Sequence, residues 1–318
     1  MKEVFTARLT ELAARDPRVM LLTADLGFGA FDSFARDYPR QFLNVGVAEQ
    51  NLIGVGTGLA LEGRTVFVYS IANFPTLRCL EQIRNDACYH NANVKVVAVG
   101  AGFSYGALGI SHHATEDVSI LRSLPAMTVF SPGDDWEAAE CTTAAAAQPG
   151  TCYMRIDRSS GGNLVRPGEK FTIGRARLLR EGDDATIAVT GGLLGTAIET
   201  AEQLSKASIE CRVLSFPTIK PLDVVALAEA AQETGGLFTL EEHTVDGGLG
   251  GAVAENLLEL GAIPRVFQRI GLRDGFSSIV GSQTYLRQRY GLDTKSVAAC
   301  IVQRLTSKIV KTFGWKAA

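Results

Sequence analysis

The sequence predicts an α/β fold made of two doubly wound units with mainly parallel sheets. Three observations predict it. Short apolar runs alternate with helical patterns along all 318 residues. The runs are almost continuously apolar, as expected of strands covered by helices on both faces. The alternation stops at a glycine-rich polar stretch and then restarts.

Taken in order, residues 1–15 alternate charged and apolar side chains at helical spacing. Residues 18–23 read as the first strand, and 42–47 form a second apolar run. Further strands are expected at 65–69, 94–99, 127–130 and 151–156. Helices are expected at 48–61, 77–89, 117–124 and 134–147. Asp134 and Asp135 supply the N-cap signal of the last of these. Ser159-Ser160-Gly161-Gly162-Asn163 and then Arg166-Pro167-Gly168 read as a linker. Beyond it, strands are expected at 185–189, 211–214, 237–240 and 266–270. Helical patterns occupy 194–205, 222–232, 249–260 and 296–311. This gives a first domain at 1–160, a linker at 161–172 and a second domain at 173–318.

Composition narrows the function. The chain is 46% hydrophobic and 20% charged, ordinary values for a globular protein. A net charge of -3 leaves no footprint for nucleic acid or an anionic membrane surface. No apolar run approaches the roughly 18 residues that span a bilayer. The N-terminus lacks the apolar core of a signal peptide. A cytoplasmic protein is expected, with neither nucleic acid nor membrane as partner. The six cysteines (Cys79, Cys88, Cys141, Cys152, Cys211, Cys300) form no C-x-x-C pair, which suits reduced, mostly buried thiols. His112 and His113 adjoin on an extended segment and point to opposite sides, so they do not share a metal. Gly54, Gly56 and Gly58 lie inside a helical pattern, where close helix packing explains them better than a nucleotide loop does.

One carboxylate stands out. Glu49 lies between the apolar run 42–47 and a helix rich in small residues. No charge partner is evident in its neighbourhood, so it is expected to point into an apolar interior. A buried carboxylate must pair, protonate or accept hydrogen bonds.

The segment Asn44-Val45-Gly46-Val47-Ala48-Glu49-Gln50-Asn51 resembles the catalytic-glutamate motif of the transketolase family of thiamine diphosphate enzymes. Further matches follow in order. Tyr69-Ser70, Phe74, Arg78 and Glu81-Gln82-Ile83-Arg84 resemble the segment that stacks on the aminopyrimidine ring. Ser111-His112-His113-Ala114-Thr115-Glu116-Asp117 resembles the family's T-H-Q segment. Thr128 to Asp134 resembles the strand and P-x-D turn after it. Pro217 to Asp223, Glu241-Glu242-His243 and Gly247-Gly248-Leu249-Gly250 resemble the C-terminal domain. The matches span nearly the whole chain.

The resemblance implies roles. Glu49 would hydrogen-bond a pyrimidine nitrogen and stabilise the imino tautomer of the cofactor, a task that burial assists by favouring a neutral carboxyl. Phe74 would stack on the pyrimidine, with Arg78 beside it. His112 would bond the sugar substrate, whereas His113 has no such counterpart and is left as a surface or interface residue. Asp25 resembles the family's A-D-L segment beside the cofactor and subunit contact. Arg158, with Arg155 as the second candidate, would grip a substrate phosphate. One departure stands against the pattern. The family aspartate four residues before His112 is replaced by Leu108, which cannot accept a hydrogen bond from a substrate hydroxyl.

A second half is missing. No G-D-G motif of the diphosphate-binding domain occurs. Glu181-Gly182-Asp183-Asp184 and Val245-Asp246-Gly247-Gly248 each lack one of its glycines. The resemblance therefore implies a partner subunit that carries the diphosphate and magnesium site, in a heterotetramer built on a homodimer of this chain. The implied activity is transfer of a two-carbon ketol unit from a ketose phosphate to an aldehyde. The β-type subunit of a 2-oxoacid dehydrogenase, deoxyxylulose phosphate synthase chemistry and a non-catalytic paralogue remain as alternatives.

Overall fold

The computed structural model describes residues 1–307, so the part of the last expected helix beyond 307 lies outside them. The first sheet is formed by β1 (Val19–Thr23), β2 (Phe42–Asn44), β3 (Thr65–Ile71), β4 (Val94–Val99), β5 (Thr128–Phe130) and β6 (Cys152–Ile156). A second sheet contains β7 (Arg177–Arg180), β8 (Ala185–Val189), β9 (Cys211–Ser215), β11 (Leu237–Thr244) and β12 (Phe267–Leu272). The strand between β9 and β11, β10 (Thr218–Lys220), leaves its own unit and pairs antiparallel with β5. The strand orders are β10-β5-β6-β4-β3-β1-β2 and β12-β11-β8-β9-β7.

Every residue of β1, β4 and β6 is buried. Helices on both faces require this, and it explains why the strands read as unbroken apolar runs. On one face, α1 (Lys2–Arg15) and α6 (Asp135–Ala147) place Phe5, Leu9, Ala138 and Cys141 against Phe67, Val97 and Met154. The other face carries α3 (Glu49–Leu61) and α5 (Asp117–Arg122), which bring Leu52, Ile53, Val118 and Leu121 onto Val66, Val68, Val94 and Val96. A short α2 (Asp32–Asp37) covers the β2 end. In the second unit, α7 (Leu194–Ser205) and α11 (Thr294–Thr306) cover one face. The opposite face is covered by α8 (Val224–Glu233) and α9 (Leu249–Glu259).

The parallel α/β architecture is therefore as expected, and Asp134 caps α6 by accepting from Glu137 N at 2.7 Å. Differences have local causes. The run at 42–47 stops as a strand at Asn44, because Gly46 takes φ +78° and turns the chain. The helix expected at 77–89 is a short α4 (Leu80–Gln82) continuing into a π-helical turn, Ile83–Cys88. Among the three glycines of α3, Gly56 alone approaches the sheet, where an added Cβ would lie 2.9 Å from Val68. Five of the cysteines are buried, Cys300 is half-buried, and all six are free.

Candidate active site

The carboxyl ends of the parallel strands in the first sheet carry the candidate residues in the spatial order of the strands. Arg158 follows β6, Tyr105 and His112 follow β4, Phe74 and Arg78 follow β3, Asp25 follows β1, and Glu49 follows β2. Residues remote in sequence thus form one row along one edge, where open α/β sheets place their ligands.

Asn44, at the end of β2, shapes the loop before Glu49. Its Oδ1 accepts from Asp25 N at 2.9 Å and from Gly46 N at 3.0 Å. Its Nδ2 donates to Asp25 Oδ1 at 3.3 Å. Asp25 itself sits at φ 55°, a left-handed conformation that aspartate tolerates better than most residues. Beyond this turn α3 begins at Glu49, whose exposure is only 5%.

Glu49 does have a charge partner, contrary to the expectation from its sequence neighbourhood. Arg78 Nη1 donates to Glu49 Oε2 at 2.9 Å, bringing a cation from 29 residues away. Among the described residues Oε1 receives no hydrogen bond. The Arg78 guanidinium also lies 4.4 Å from the centre of the Phe74 ring, a cation–π contact. Phe74 in turn meets the His112 ring at 5.2 Å, edge to face. Glu49, Arg78, Phe74 and His112 therefore form one continuous chain of contacts.

His112 is half-buried, and its Nδ1 lies 3.0 Å from Ser111 Oγ. Burial, with the neighbouring His113, holds its imidazole below the usual range. It is therefore neutral at pH 7. Tyr105 stands 6.2 Å from His112 on one side, and the Arg158 guanidinium lies 5.4 Å from the Tyr105 ring on the other. Tyr105 and Arg158 line a cleft of about 620 Å³ with residues 104–108, Ser159 and residues 281–283. Exposed Leu108 is part of that wall.

Two expectations need correction. Arg155 is 2% exposed and cannot reach a substrate. Its Nε donates to Asp117 Oδ2 at 2.8 Å, and its Nη2 donates to Ala114 O at 2.8 Å and Glu242 O at 3.0 Å. His113 is buried rather than on the surface, packed edge-on against Phe103 at 5.1 Å. The segment is not extended: Ile110–His112 forms a 3-10 turn, with His112 against Phe74 and Tyr105 and His113 against Phe103. Tyr105, Asn44 and the 281–283 segment escaped sequence reasoning. Asn44 stands first in the glutamate motif but was given no role there, whereas the other two carry no local signal.

Known proteins share both halves of this fold. The pyrimidine-binding domain of transketolase matches residues 1–162, and the transketolase C-terminal domain matches residues 174–297. The chain belongs to the transketolase family. It is 36% identical over 298 residues to a 6-deoxy-6-sulfo-D-fructose transketolase subunit of a Clostridium species, covering 93% of this chain and 92% of that one. It is 35% identical over 298 residues to one of the subunits of an apulose-4-phosphate transketolase from Phocaeicola vulgatus, covering 93% and 94%. Among solved structures, a split-gene transketolase in an inactive beta4 tetramer superposes with a TM-score of 0.87 at 37% identity, covering 96% and 97%. Family membership brings thiamine diphosphate as cofactor. The row of residues suits the pyrimidine end of that molecule: a buried carboxyl with one unengaged oxygen stands beside a half-buried aromatic ring. Among the described residues, no group of three or more His, Cys, Asp or Glu side chains could hold a metal ion. No described helix is long and apolar enough to cross a membrane.

Proposed function

We propose that this chain is one subunit of a two-component transketolase that moves a two-carbon ketol unit from a ketose phosphate to an aldehyde. The observation that carries this reading is the row from Glu49 through Arg78, Phe74, His112 and Tyr105 to Arg158 along one sheet edge. It offers a pyrimidine-type contact at one end and a phosphate-type contact at the other, with a neutral histidine between. The similarity to transketolase subunits supports it.

Each residue then has a task. Thiamine diphosphate, when bound, supplies a carbon nucleophile for the ketose carbonyl. Arg78 fixes the direction of the Glu49 carboxyl by holding Oε2, which leaves Oε1 for the proton shared with a pyrimidine nitrogen. Phe74 provides the flat apolar face beneath that ring. Asp25, tied to Asn44, keeps the loop before Glu49 in place. His112 hydrogen-bonds the sugar, and Arg158 pairs with its phosphate through a guanidinium fork. Leu108 presents an apolar surface there, so the donor's hydroxyl at that point goes unrecognised.

The diphosphate and magnesium belong to a partner subunit in this proposal, because no G-D-G motif occurs in the chain. The assembly is a heterotetramer in which two copies of this chain pair with two diphosphate-binding subunits. Calorimetric titration of thiamine diphosphate with magnesium tests it. The chain alone should give no heat of specific binding, and the mixture with its partner should bind tightly. Tight binding by the chain alone would refute the divided site.

A further inference from the structure

The cleft that holds Arg158 has two owners. Residues 104–108, Arg158 and Ser159 come from the first sheet, whereas Gly281, Ser282 and Gln283 come from the segment after β12. Gln283 opens α10 (Gln283–Arg289). Beneath the cleft lie two buried carboxylates, Asp157 and Glu242, and Arg287 pairs with both. Two buried carboxylates repel unless cations and N–H donors surround them. Here α10 supplies both.

The hydrogen bonds are specific. Asp157 Oδ1 accepts from Ser104 Oγ at 2.8 Å, Ser159 N at 2.8 Å, Ser159 Oγ at 2.9 Å and Gln283 Nε2 at 3.0 Å. Glu242 Oε1 accepts from Phe103 N at 2.6 Å and Gln283 Nε2 at 3.1 Å. Arg287 Nε donates to Glu242 Oε2 at 2.5 Å, and Arg287 Nη2 donates to Ser159 Oγ at 2.9 Å. Ser104 Oγ accepts from Arg158 N at 3.3 Å. The segment ending in Tyr105 and the segment carrying Arg158 are thus fastened to the same two carboxylates. Gly102, at φ +55°, lets Glu242 come close: a Cβ there would lie 2.6 Å from Glu242 Cγ.

We propose that Gln283 and Arg287 are positioning residues: through Asp157 and Glu242 they fix Arg158 and Tyr105, and so set the cleft's affinity for a phosphorylated donor. This inference rests on the function proposed above. Neither residue needs to touch the substrate. Losing the Gln283 amide leaves Asp157 and Glu242 short of donors, so Ser104 and Ser159 shift and Arg158 moves with them. A displacement of about 1 Å at a charge-pairing site is enough to lose most of its benefit.

The test uses the full chain assembled with its partner subunit. Gln283→Leu and Arg287→Lys are each assayed with a ketose phosphate and with the same ketose lacking its phosphate. KM for the phosphorylated donor should rise about tenfold, the size of one charge-assisted hydrogen bond, while kcat and the unphosphorylated donor's KM stay nearly constant. In an Arg158→Ala background, Gln283→Leu should add nothing. An equal rise for both donors, or full additivity with Arg158→Ala, overturns the proposal. Titration of inorganic phosphate into the full chain, followed by NMR, gives a readout free of turnover. Wild type should bind, Arg158→Ala should not, and Gln283→Leu should bind about tenfold more weakly. Equal phosphate affinity in wild type and Gln283→Leu, or no phosphate binding by wild type, also overturns it. Absence of ketol transfer by the wild-type assembly rejects the proposed function instead, and the phosphate titration still decides the positioning role.

Discussion

Arg155 and Arg158 lie three residues apart, yet they meet opposite environments. Alternation along β6 puts Arg155 on the same face as Tyr153, and both side chains bond Asp117 Oδ2. Arg158 lies past the end of that strand and is exposed. Sequence could not separate them, because the decisive acid is 38 residues upstream and has no local mark. Arg155→Met should therefore cost about 3–5 kcal/mol in a denaturant melt, since it leaves Asp117 buried and uncompensated. Arg158→Met should leave the melt unchanged and raise KM for a phosphorylated donor roughly tenfold to a hundredfold. Glu49 was legible for a different reason: its motif is contiguous and its helix starts there. Its link to Arg78 was not, because only the folded sheet brings the loops after β2 and β3 together. Glu49→Gln should fold normally by circular dichroism, and kcat in the assembled enzyme should fall by about 100- to 10,000-fold.

Long parallel strands and their helices were legible because burial on both faces writes an unbroken apolar run. Short edge strands were not. β7 and β10 have four and three residues, and their pairing is antiparallel. α10 has seven residues and a largely polar sequence, so it left no periodic signal. At the junction of α5, β11 and α9, two buried groups give an opposed pH response. Burial pushes His243 down to about 4, although Asp117 lies 3.6 Å away. It pushes Glu241 up to about 7 against hydrogen bonds from Leu249 N and Gly250 N. His243 resists a proton that the unfolded chain accepts, so its contribution to stability falls as pH drops from about 6.5 to 4. Glu241 takes a proton more readily folded than unfolded, so its contribution rises as pH drops from about 7 to 4.5. Glu241→Gln removes the second response. Chemical denaturation at pH 7 and pH 4.5 should show this variant losing more stability on acidification than wild type does. An equal loss in both would contradict the assignment.

The addition of β10 to the edge of the first sheet, beside β5, binds the two halves of the molecule. Arg177 of β7 does the same, pairing with Asp134 at 2.9 Å and Glu137 at 2.7 Å across the junction. Calorimetry should show one cooperative unfolding transition for the whole chain, and two well-separated transitions would contradict this coupling. Large apolar side chains stand exposed near the row of site residues. Val47 is 77% and Phe28 74% exposed, and Leu108 and Ile110 are also exposed beside His112. Such a cluster suits an edge completed by another subunit. The most direct measurement is ketol transfer from a ketose phosphate to an aldehyde with thiamine diphosphate and magnesium present. It is run with this chain alone, with the diphosphate-binding subunit added, and with that subunit plus Glu49→Gln. The account predicts turnover only in the second mixture. Turnover by the chain alone, or undiminished turnover with Glu49→Gln, would contradict it.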